Sequence, residues 1–173
     1  MRVFYPKAGR GALFDGLVRQ LAQLGVPVVP SVPASSELAR DFDVLVDALF
    51  GFSFAAGAIR APFDEAIARL NGARSVPLFS VDVPSGWPVD DERAAFAAAS
   101  DPSAKLHTPD ALISLTAPKM CATHFGGAHY IGGRFVPPAL AAEFDFGVPP
   151  YAGADPFPRV SSPPACPAPA PAL

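Results

Sequence analysis

Apolar and polar positions along this chain fall into blocks whose period switches between that of a helix and that of a buried strand. Residues 3–5 (VFY) read as a strand followed by a turn. In ALFDGLVRQLAQLG (12–25), Leu13, Phe14, Leu17, Val18, Leu21 and Leu24 recur at helical spacing, and Gly25 is placed to end the helix. VPVVP (26–30) predicts a short buried strand, and SSEL (35–38) the opening of a short helix. VLVDALF (44–50) is apolar apart from Asp47, as a parallel strand covered on both faces should be. APFDEAIARLN (61–71) predicts a helix with Pro62 in its first turn, Asp64 and Glu65 at its positive end, and Phe63, Ala66, Ile67 and Leu70 facing inward. Gly72 follows as a stop. VPLFSVDV (76–83) and DALISLTA (110–117) read as further strands, with a short helix over 91–100 on an insertion between them. The rest, up to FVPPAL (135–140), is rich in glycine and reads as turns.

Strands alternating with helices predict an open α/β sheet. Its crossovers are right-handed, with helices on both faces, and ligands bind beyond the carboxyl ends of its strands. Asp47, Gly51, Asp82, Ser85 and Lys119 all fall at such ends.

Composition narrows the function classes. The 173 residues suit one domain with a real core, drawn here as residues 1–151. Many of the 22 prolines crowd DPFPRVSSPPACPAPAPAL (155–173), and residues 152–173 are expected to be a disordered tail. No apolar run reaches the roughly 18–20 residues of a membrane span. A net charge of −3 without a basic run argues against nucleic acid as a partner. The cysteines, Cys121 and Cys166, have neither metal spacing nor a disulfide framework, which suits a reducing compartment. MRVFYPKAGRG lacks the apolar core of a secretory signal.

The chemistry is concentrated in two aspartates. Asp47 in DVLVDALFGFSF (43–54) and Asp82 in VPLFSVDVPSGW (76–87) each stand near the end of an apolar strand, and a glycine-containing turn follows each. Either could simply end its strand and cap a turn. If the strands are neighbours, their ends lie about 5 Å apart laterally. Two carboxylates so placed repel unless a proton, a cation or a donor array separates them. An oxygen-liganded cation is one solution, with Ser85 supplying its hydroxyl or its carbonyl. The loop GFSFAAG (51–57) is neither GxGxxG nor a P-loop, but its small residues could bring backbone amides close to a phosphate. Lys119 reads first as a solvated or structural lysine at a strand end, and otherwise as a group that meets a phosphate or the reacting end of a ligand. His124 reads as a turn histidine, His107 as exposed, and Cys121 as a small buried hydrophobe. Trp87, Phe50, Phe52 and Phe54 read mostly as core, with one of them a candidate to line a pocket.

Four stretches in order, DVLVDALFGFSF, PLFSVDVPSGW, PDALISLTAPKMCATHFGG and HYIGGRFVPPAL, resemble the NAD(P)H-hydrate epimerase family, also called the YjeF N-terminal domain or apolipoprotein A-I-binding protein family. The resemblance covers about residues 2–151, including YPK, LFDGLV and VPPY. It implies a Rossmann-like fold, a homodimer, and interconversion of the R and S forms of hydrated NADH and NADPH. By motif it implies that Asp47 and Ser85 are ligands of one potassium ion per subunit. Gly51, Phe52, Ser53, Phe54, Ala55, Ala56 and Gly57 match the substrate-binding loop, and Asp82 matches the aspartate that meets the substrate. The family also carries an upstream unit with a loop of the type NNGGDG. This sequence has no such segment and begins near the family's second strand, so an N-terminally shortened domain is expected. The segment PVDDERAAFAAASDPSAKLH (88–107) looks longer than is usual in the family. The implied compartment is the cytoplasm or mitochondrion, with any targeting segment upstream of Met1.

The chemistry expected of Asp82 is to stabilise an iminium-like cation, formed when the ring nitrogen assists loss of the hydroxyl, and to shuttle the proton, while Asp47 and a monovalent cation organise the loops. Two other readings share the fold. One is a non-catalytic scaffold with an apolipoprotein-type partner, and the other is a fragment of a longer gene product.

Overall fold

A computed structural model describes residues 1–54, 59–94 and 108–160. These divide into two compact units, one of Met1–Asp43 with Ile59–Val76 and one that takes up the chain at Val44–Ala58 and again from Pro77.

The first unit holds β1 (Val3–Phe4), α1 (Ala12–Gln23), β2 (Val28–Val29), α2 (Ser35–Asp41) and the later α3 (Phe63–Gly72). β1 and β2 pair in parallel. Helix α3 buries Ala66 and Ile67, the centre of its expected inward face. It is tied to α2 by the Ser35 hydroxyl, which donates to the Arg69 carbonyl at 2.9 Å. Helix α1 forms where its period predicts, yet it buries none of its residues, and Leu13 remains 72% exposed.

The second unit is built on a four-stranded parallel sheet in the order β3 (Leu45–Asp47), β4 (Leu78–Val81), β5 (Ala111–Leu115) and β6 (Ala128–Gly132). A short 3-10 helix, Met120–Ala122, follows β5, and α4 (Pro138–Glu143) follows β6. With every strand parallel, the carboxyl ends share one edge. Asp47 closes β3, while Asp82 and Thr116 come directly after β4 and β5. The core of this unit includes Val83, Trp87, Leu112, Cys121 and Phe125. Trp87 meets Phe125 edge-on, with ring centroids 6.3 Å apart.

Three expectations need correction. β3 was expected to be covered on both faces, but only Leu45 and Asp47 are buried and Val46 is 62% exposed. The glycine-rich stretch after residue 117 is not all turns. It contains β6, whose alternation of buried His129 and Ile131 with less buried neighbours is short and hidden among glycines, and it contains α4, with proline at its start. The tail is not disordered from residue 152. Up to Val160 it runs antiparallel beside β6, which accepts no proline amide but can donate to proline carbonyls. Ile131 N donates to Pro158 O at 3.0 Å, and Gly133 N to Pro156 O at 3.0 Å. The helix expected over 91–100 and His107 lie largely or wholly outside the described residues, as does Cys166. Among the described residues no helix is long and apolar enough to cross a membrane.

One buried histidine ties core to strand. His129 Nε2 lies 2.9 Å from the Ser114 hydroxyl, and the ring packs edge-on against Phe125. Burial holds its pKa below the ordinary 6.5. The unfolded chain then takes up a proton that the folded chain refuses, so stability falls as pH drops below about 6.5. Thermal unfolding between pH 7.5 and 5 should show this fall, and His129→Gln should reduce it; an unchanged slope would remove His129 as its source.

Candidate active site

The edge of the sheet where the strands end carries two carboxylates handled in opposite ways. Asp47 is 1% exposed and Ser85 fully buried. Asp47 Oδ1 accepts from the Ser85 hydroxyl at 2.6 Å and from the Leu49 amide at 3.2 Å. Its Oδ2 accepts from the Ser85 amide at 2.8 Å and from the Ser80 hydroxyl at 3.1 Å. Ser80 is also the register partner of Asp47 across β3 and β4. The Ser85 hydroxyl in turn accepts from the Phe50 amide at 3.0 Å. Asp47 and Ser85 are therefore brought together as the sequence suggested. The buried carboxylate is surrounded by a donor array, one of the three solutions open to it.

Asp82 faces the other way. It lines an open cleft of about 520 Å³ together with Phe52, Asp90, Thr116, Lys119 and Met120. The Lys119 ammonium donates to Asp82 Oδ1 and, at 2.8 Å, to the Leu115 carbonyl. The Phe52 amide donates to Asp82 Oδ2 at 2.7 Å. Burial raises the Asp82 pKa, but the Lys119 and Phe52 hydrogen bonds outweigh it and hold the carboxyl below its ordinary value. At neutral pH the group is a carboxylate. Phe52, 64% exposed, also lies under the Lys119 ammonium at 5.9 Å. It is the aromatic that lines the pocket, whereas Phe50 and Phe54 stack on each other at 4.6 Å.

Glycine at position 51 is what allows this approach. A Cβ there would stand 2.7 Å from Asp82 Oδ2, closer than side-chain carbons come to oxygen. The loop then turns back on itself, with Phe54 N donating to Gly51 O at 2.9 Å. Ser53 lies on this turn, while Ala55, Ala56 and Gly57 lie outside the described residues.

The backbone at Asp82 is unusual. Its φ is 71°, and Val83 N donates to Val81 O at 3.0 Å, which makes a γ-turn of the rare, strained hand. A non-glycine residue held this way costs of order 1–3 kcal/mol. The price is tolerated where it aims a side chain, and here it turns the carboxylate out of the sheet into the cleft.

Other candidates are placed as follows. Cys121 is buried, and burial pushes its thiol up to about 11, so it is no nucleophile at neutral pH. His124 is half-buried just past the 3-10 helix and does not line the cleft. Sequence reasoning did not single out Ser80 or Thr116. The first was legible only through its register with Asp47. The second was legible by the rule that found Asp82, because it follows a strand end directly.

Known proteins resemble this chain over most of its length. The family model described as YjeF-related protein N-terminus matches residues 3–121. A protein from Arabidopsis thaliana named pyridoxine/pyridoxamine 5'-phosphate oxidase 1, chloroplastic, is 43% identical over 171 residues, which cover 94% of this chain and 31% of that protein. An NAD(P)H-hydrate epimerase from Sclerotinia sclerotiorum is 41% identical over 153 residues, 88% of this chain and 60% of the relative. The chain thus spans less than two thirds of either curated relative. The crystal structure of yeast ynu0, YNL200c, superposes with a TM-score of 0.77 at 35% identity, over 92% of this chain and 65% of that one. With its α/β fold, its parallel sheet and a family match across most of its length, the chain belongs to the YjeF-related N-terminal domain family.

Proposed function

We propose that this chain is an NAD(P)H-hydrate epimerase, an isomerase that interconverts the R and S forms of hydrated NADH and NADPH. The observation that carries the reading is Asp82, held ionised at the cleft by Lys119 and the Phe52 amide. The epimerase relative, 41% identical over most of the chain, gives that carboxylate a substrate. The oxidase name of the Arabidopsis relative describes a protein of which this chain matches 31%, and the reading proposed for the shared part is the epimerase.

The chemistry follows from the pair. Epimerisation needs the ring hydroxyl to leave from one face and return on the other. The ring nitrogen pushes the hydroxyl out and becomes an iminium cation, while the Lys119 ammonium gives the departing oxygen its proton, so that water is released. The Asp82 carboxylate stabilises the cation. Water then adds to the opposite face and releases a proton to solvent, and solvent reprotonates Lys119, which restores both the enzyme and the hydroxyl. The exposed Phe52 ring offers a flat apolar face to the pyridine ring, and the amides of the loop 51–57 other than those of Phe52 and Phe54 are proposed to meet the phosphates.

Asp47 and Ser85 are proposed to hold one potassium ion per subunit. Their donors are oxygen atoms, which suits a hard cation. A cation there would share the carboxylate with Ser80, Leu49 and the Ser85 amide. When bound it would supply fixed positive charge that orders the two loops. A homodimer is also proposed; exposed Val44, Val46 and Phe79 offer apolar surface that a second copy could cover.

Two measurements check this. Asp82→Asn should lower epimerisation of hydrated NADH by about 10²–10⁴-fold with the fold intact; turnover near that of the unaltered chain would count against the assignment. Potassium should raise turnover of the unaltered chain relative to lithium at equal ionic strength. Asp47→Asn should remove that response and cost about 1–3 kcal/mol in urea unfolding, because buried donors lose their acceptor. A variant that kept both the potassium response and full stability would refute the role of Asp47.

A further inference from the structure

Asp82 is not the only residue held in a strained turn at this edge. Thr116, directly after β5, has φ of 70°, and Ala117 N donates to Leu115 O at 2.8 Å. This is the same rare γ-turn as at Asp82, repeated at the end of the neighbouring strand. It is less expected still, because threonine is β-branched and such side chains are true outliers at positive φ. Asparagine or glycine would sit there more easily. The Thr116 amide is used by the sheet, donating to Gly132 O at 3.1 Å. Its hydroxyl has no hydrogen-bond partner among the described residues. The side chain is partly exposed and lines the cleft that holds Asp82 and Lys119. It also lines a smaller hollow of about 300 Å³ bordered by Arg134, Phe135 and Tyr151. Thr116 therefore stands where the two spaces meet.

We propose that Thr116 is a ligand-binding residue of this cleft. Its hydroxyl hydrogen-bonds a neutral group that both donates and accepts, such as the carboxamide on a reduced pyridine ring. The inference rests on the epimerase reading for the identity of the ligand. Strain at a strand end persists where it delivers a side chain to a ligand, and the two twin turns deliver one residue each. Asp82 brings charge to the reacting carbon. Thr116 brings a neutral donor and acceptor that fixes which way the ring lies, so that the hydroxyl-bearing carbon, and not its mirror position, faces the carboxylate.

Three substitutions separate this role from a structural one. Thr116→Val keeps the shape and the branching but removes the hydroxyl. It should bind hydrated NADH about tenfold more weakly by calorimetry, the size of one neutral hydrogen bond, with an unchanged melting temperature. Thr116→Ser should bind as the unaltered chain does. Thr116→Gly relieves the turn and should hold or raise the melting temperature while binding as weakly as the valine variant. Equal affinity in the valine variant, or a glycine variant that melts several degrees lower, overturns the proposal. If the unaltered chain binds hydrated NADH without epimerising it, the epimerase reading falls and the affinity ratio still decides the role of Thr116. If it does not bind at all, both fall.

Discussion

The structure of this edge depends on how one buried charge is neutralised. Asp47 ends a strand whose other side chains are apolar, and a bare carboxylate there would cost several kcal/mol. Ser80 from the neighbouring strand and Ser85 from the following turn supply hydroxyl and amide donors to it. Those bonds do more than compensate. They fasten the DVPSG turn to the end of β3, and because Asp82 opens that turn, its position is set by the satisfaction of Asp47. Ser85 passes the constraint on by accepting from the Phe50 amide, which leads into the loop whose next amides reach Asp82. Two carboxylates far apart in sequence thus belong to one hydrogen-bonded frame, in which one is buried among donors and the other lines the cleft.

The division follows from solvent. Asp47 is buried, and hydroxyl and amide dipoles are turned toward it. Asp82 is partly open, and its partner is the Lys119 ammonium. The pairing keeps Asp82 ionised despite the desolvation that pulls the other way. A carboxylate that stays charged in a partly dry cleft is suited to stabilise positive charge, which water would otherwise screen. Gly51 completes the arrangement by letting the backbone come close enough to donate.

Much of this was legible in the sequence, and the failures share a cause. Periodicity located α1, α3 and the strands around Asp47 and Asp82 because each is a run with one clear period. It missed β6 because only five residues alternate there, between glycines that carry no pattern. It misjudged residues 152–160 because proline was read for the donor it lacks and not for the acceptor it keeps. Chemistry read from residue type alone placed Asp47 and Asp82 at strand ends, but nothing local distinguished the buried carboxylate from the exposed one. That distinction lives in the register of β3 on β4 and in the positive φ at Asp82, and a linear reading has neither. Thr116 stood at a strand end by the same rule as Asp82, but its positive φ is not written in the sequence.

The buried thiol has a consequence of its own. Cys121 lies two residues from Lys119 and next to Met120, both of which border the cleft. In the proposed reaction that space briefly holds an electrophile, and a thiolate within reach would compete with water for it. Burial keeps this sulfur protonated at neutral pH and turned into the packing around Trp87. The same apolar packing that stabilises the domain thereby leaves water as the nucleophile in the proposed reaction.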